Sequence, residues 1–159
     1  MLTHEQLGIK QWEVESLIFF RDKLISGEYK LDMNNSSFNR DQNVPVQSAC
    51  GSVVCLGGNM FLKKVLDNKM GFFSAERLAQ MTIGDINVEM DTYVWNGGAN
   101  NSSSLRTLFF PHEWGSTFNW ENIPTKYIGH AINNFLNTGN PHWNSLREDY
   151  TDELYRVTK

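Results

Sequence analysis

Along the first 26 residues the apolar positions Leu7, Val14, Leu17, Ile18, Leu24 and Ile25 recur at the intervals that line one face of a helix. Thr3, with Gln6 three positions on, has the form of a capping box. Gly27 suits the left-handed residue that closes a helix. The spacing predicts one long helix over 4–26. Tyr29 to Met33 then alternates apolar and polar side chains, the pattern of a short strand or extended entry, and the polar run from Asn34 to Asn43 before Val44-Pro45 is loop chemistry.

A second helix is expected from Ser52, whose hydroxyl suits an N-cap, through Met60, Phe61, Leu62, Val65 and Leu66 to about Asn68. Gly57 and Gly58 each lower helix propensity by about 1 kcal/mol relative to Ala. Close contact with a neighbouring helix is the expected compensation. Ser74 caps a short helix over 75–81. Ile86 to Met90 alternates like a strand, and Trp95 to Ser104 is rich in Asn, Gly and Ser, as loops are. Leu105 to Phe110 forms a short helix stopped by Pro111. Pro124, Ile128, Ala131, Ile132, Phe135 and Leu136 mark a helix over 124–138 closed by Gly139. A peripheral helix follows over 145–157. The predicted fold is therefore mainly α: a compact single domain over 1–159, with three principal helices and at most a minor β element.

Composition narrows the function classes. A chain of 159 residues with 40% hydrophobic side chains, among them ten Phe, five Trp and five Tyr, buries a core without metals or disulfides. A formal charge of −4 with no dense Lys/Arg stripe disfavours direct nucleic-acid binding. The acidic run Glu148, Asp149, Asp152 and Glu153, broken by Tyr150 and flanked by Arg147 and Arg156, reads as a solvated helix face. No secretory signal begins the chain and no apolar run reaches membrane length, so a cytoplasmic location with reduced cysteines is expected.

Two segments could carry chemistry. Cys50-Gly51-Ser52-Val53-Val54-Cys55 admits three roles. A zinc site would need two more ligands, such as His112 and His130, at no recognisable spacing. A catalytic cysteine gains from the helix N-terminus, which favours the thiolate, but the papain-type pattern is broken because Val53 and Val54 separate Ser52 from Cys55. In the third role Cys50, Gly51, Ser52, Cys55 and Gly58 are small groups that let the second helix lie against its neighbours, and this is the expectation adopted. No metal or cofactor is expected.

The other segment is the aromatic stretch from Phe109 to Trp120. It is expected to fold over the helical core, with Phe110, His112, Trp114 and Trp120 forming the rim of a protein-binding surface and Trp114 or Trp120 its anchor. His112-Glu113 lacks the second His of a helical zinc motif.

Several short motifs share an order with a known group. Leu31-Asp32-Met33, then Cys50-Gly51-Ser52-Val53-Val54-Cys55-Leu56-Gly57-Gly58, then Leu108-Phe109-Phe110-Pro111 with Trp114, then Ala131-Ile132 and Gly139 with Pro141, resemble a group of uncharacterised bacteriophage and bacterial proteins over about residues 29 to 143. That group favours Thr at the position of Ser52, and Gly-His at the position of Gly58-Asn59. The resemblance implies a phage-like setting and brings no mechanism. The expected function is that of a non-enzymatic accessory protein that binds and modulates a host or phage protein. The alternative is a small hydrolase using Cys50 or Cys55 with a histidine.

Overall fold

The structure is a computed structural model that describes residues 1–31, 33, 55–67, 76, 80–114 and 123–157. Among these the chain is mainly helical, with no strand beyond an isolated bridge at Thr82: α1 His4–Leu7, α2 Gln11–Ile25, α3 Leu56–Asp67, α4 Ile83–Trp95, α5 Ser103–Phe109, a single 3-10 turn His112–Trp114, α6 Thr125–Thr138 and α7 Trp143–Val157. The mainly α fold expected from the sequence is what forms. The short helix expected over 75–81 falls largely outside the described residues.

The first predicted helix is two. The Thr3–Gln6 capping box is present, with Thr3 N donating to Gln6 Oε1 at 2.9 Å, but it starts only one turn. Gly8, at φ 72°, ends that turn in the left-handed conformation. The chain then bends so that Leu7 and Ile9 both reach the core, and α2 starts afresh with Glu13 accepting from Lys10 N at 2.8 Å. Apolar spacing continues through the bend, which is why periodicity alone does not reveal it.

The strand expected over 86–90 is replaced by α4. Ile83, Ile86, Asn87, Met90, Tyr93 and Val94 are its buried residues, a helical interval, while Val88 in the middle of the apparent alternation is 66% exposed. The local signal is a second capping box: Thr82 N donates to Asp85 Oδ2 at 3.0 Å and Asp85 N to Thr82 Oγ1 at 3.3 Å. Leu31 and Met33 are buried without strand pairing.

One core cluster draws on every helix. α2 packs along α6 more extensively than any other helix pair does. Gly129 permits that approach, since a Cβ there would stand 2.6 Å from Ile25 Cγ1. Gly57 plays the same part for α3: a Cβ would lie 2.9 Å from Val94 Cγ2 of α4 and 3.1 Å from the Phe109 ring of α5. This is the close contact that its low helix propensity calls for. Gly139 closes α6 at φ 82°, its N–H donating to Phe135 O at 2.7 Å. α7 begins at Trp143, two residues ahead of expectation, because that ring is fully buried and its Nε1 donates to Thr107 O at 3.1 Å.

Candidate binding surface

The aromatic segment divides between core and surface. Trp114 has no exposed area; its ring lies 6.1 Å from Trp143, 5.9 Å from Tyr150 and 6.2 Å from Tyr127, centroid to centroid. It is a core residue and not the exposed anchor expected from the sequence, because the 3-10 turn rotates it inward under α7. Trp120 lies outside the described residues, as do Cys50, Gly51 and Ser52.

Phe110 and His112 remain at the surface, Phe110 half-buried and His112 exposed. Phe110 leaves α5 in an extended conformation (φ −121°, ψ 96°), and His112 N donates to its carbonyl at 2.7 Å across Pro111. That tight turn stacks the Phe110 and His112 rings, 6.0 Å between centroids and 19° between planes. Phe110 also meets Trp95, the last residue of α4, at 4.8 Å between centroids and a tilt of 33°. Trp95 is 56% exposed. A ladder of three neighbouring rings therefore runs Trp95, Phe110, His112, and the last two line a hollow of about 390 Å³ together with Arg106, Thr107 and Trp143. Sequence reasoning missed Trp95 because it stands where loop chemistry begins. Its signal would have been the Thr82–Asp85 cap, which starts a helix that ends on that ring.

A second feature was also missed. Glu13 is fully buried, yet each of its oxygens has a donor: Lys10 N reaches Oε1, while Tyr93 Oη at 2.5 Å and Ala99 N at 3.1 Å reach Oε2. Gly98, at φ 90°, passes so near that a Cβ would be 2.4 Å from Oε2. The carboxylate thus ties the start of α2 to the end of α4 and to the loop that follows Trp95. The Tyr93 phenol is held protonated well above its ordinary value, by burial first and by the Glu13 charge second. In the sequence Glu13 looks like any first-turn acid.

Cys55 and Gly58 meet at the start of α3. Cys55 is a buried free thiol whose Sγ accepts from Gly58 N at 3.4 Å, so it occupies the capping position expected for Ser52. Burial pushes the thiol up to about 11, against the smaller opposing pull of the Gly58 and Gly57 N–H groups. Asp91 adds to the upward shift. At neutral pH Cys55 is protonated and shielded from solvent, a packing group rather than a nucleophile.

Among the described residues no three His, Cys, Asp or Glu side chains come together as a metal site, and no helix is long and apolar enough to cross a membrane. No protein-family model matches the chain, and no curated protein or solved structure is significantly similar to it.

Proposed function

We propose that this is a non-enzymatic protein-binding accessory protein, acting in the cytoplasm and modulating a host or phage protein in the phage-encoded setting that its motifs resemble. Its binding surface is the ring ladder Trp95–Phe110–His112. The observation that carries this reading is Trp95, more than half exposed yet packed at a tilt against Phe110, 4.8 Å between ring centroids. An exposed Trp already fixed by its neighbours loses little further freedom on binding, and such residues dominate interface energetics. The Glu13 tie supports the same role by bracing the chain on both sides of Trp95. The hydrolase alternative finds no support at Cys55, whose thiol is buried and protonated.

The test is a comparison of variants. A partner captured by the wild-type chain is purified and its Kd measured against Trp95→Ala and Phe110→Ala. Loss of affinity by about 2 kcal/mol or more, with each variant still folded, supports the ladder as the interface. Unchanged affinity in both variants places the interface elsewhere.

A further inference from the structure

The hollow lined by Phe110 and His112 is completed by Ser103, Arg106, Thr107 and Trp143, and no carboxylate is among these six residues. Its volume of about 390 Å³ is at the small end of the range for ligand sites, roughly 300–1,000 Å³, which suits a side chain and not a helix. Its charge is a local exception. The chain carries a net charge of −4, yet the hollow holds a guanidinium and no acid.

Arg106 is exposed, and among the described residues its side chain makes no ion pair or hydrogen bond. Arg21 and Arg147 differ: the first holds Asp22 at 3.0 Å and the second reaches Trp114 O at 3.5 Å. The base of the Arg106 side chain is nonetheless fixed. Gly97 lets the loop after Trp95 pass against α5, since a Cβ there would meet Ser102 O and stand 3.0 Å from Arg106 Cβ. Trp143 Nε1 donates to Thr107 O on the same helix at 3.1 Å. A guanidinium on a fixed stem, with its N–H donors unused, favours a carboxylate, which accepts two of them side by side.

Resting on the reading of the ring ladder as a protein-binding surface, we propose that its partner docks through an acidic segment. An Asp or Glu carboxylate of that segment enters the hollow and pairs with Arg106, while an adjacent apolar side chain lies on the Trp95 and Phe110 rings. A nucleic acid is the poorer fit. Its affinity grows with the number of phosphates neutralised, and the hollow offers a single arginine on a chain of net negative charge.

Nuclear magnetic resonance titration of the isotope-labelled full chain at low salt tests it with two capped peptides, Gly-Phe-Glu-Phe-Gly and Gly-Phe-Gln-Phe-Gly, which differ in one charge. Amide shifts centred on Arg106 and His112 are expected, with the Glu peptide binding about threefold or more tighter than the Gln peptide. Added salt narrows that preference. Arg106→Gln removes it and Arg106→Glu reverses it, with circular dichroism checking that both variants remain folded. The proposal is overturned if the two peptides bind the wild type equally, if Arg106→Gln keeps the preference, if neither peptide shifts these amides, or if a single-stranded oligonucleotide displaces the Glu peptide at equal concentration. Trp95→Ala separates the two readings. Equal binding of both peptides, weakened by Trp95→Ala, overturns the acidic segment and leaves the ladder standing; a charge preference and affinity that Trp95→Ala leaves at full strength support the pairing at Arg106 and count against the ladder.

Discussion

Replacing Tyr93 by Phe isolates the worth of the buried Glu13 tie. The ring contacts with Trp12 at 5.8 Å, Phe61 at 5.6 Å and Phe109 at 6.0 Å survive the change, so only the hydroxyl donated to Glu13 at 2.5 Å is lost. A hydrogen bond to a charged group contributes about 1.5–3 kcal/mol, and the Glu13 oxygen is left with Ala99 N alone. For a domain of this size about 1 kcal/mol moves the Tm by about 2–4 °C, so Tyr93→Phe should lower it by about 3–12 °C. Urea unfolding followed by circular dichroism measures the loss directly, with an unchanged slope. Glu13→Gln and the double variant complete a cycle in which the coupling should be about 0.5–3 kcal/mol. A second readout comes from pH. The folded phenol stays protonated well above the ordinary value of 10.0, while the unfolded one ionises there. Stability attached to it is whole below pH 10 and falls as pH rises toward the folded value, a fall that Tyr93→Phe should reduce. A Tyr93→Phe change within about 0.5 kcal/mol of wild type, or a cycle additive to within that margin, would refute the tie.

Trp114→Ala removes a fully buried ring and should destabilise the fold by about 3–5 kcal/mol in urea unfolding. A loss under about 1 kcal/mol would show that Trp114 is not core. For Cys55, a native chain carrying Cys50→Ser should react with a thiol reagent far more slowly than the same chain in denaturant. Because the folded thiol lies near 11 against an ordinary 9.0, stability should fall as pH rises between those values, less so in Cys55→Ala; equal labelling rates in both states would count against burial.

Much of the helical framework was legible because it is written locally. The Thr3–Gln6 box, the apolar repeat of α2 and α6, Gly139 after α6 and Pro111 after α5 each act on backbone groups within a few residues. Failures came where two local patterns overlapped. Ile86, Val88 and Met90 satisfy a strand's alternation, while Ile83, Ile86, Met90 and Val94 satisfy a helix's repeat, and only burial chooses between them. Gly8 is compatible with a continuing helix or a bend, and the burial of both Leu7 and Ile9 selects the bend.

By itself, then, the sequence determined an aromatic-rich, mainly helical chain with its caps and stops, and it pointed to the stretch containing Phe110 and His112. Only the tertiary structure decided which aromatic rings face water. Trp114 and Trp95 are indistinguishable as residue types. One is enclosed by Tyr127, Trp143 and Tyr150, while the other ends a helix whose core face lies on its opposite side. Likewise Glu13 becomes a buried hub through donors 80 and 86 positions away. Such contacts depend on how helices cross, and crossing depends on side-chain volumes summed over the whole core, a quantity no short window of sequence contains.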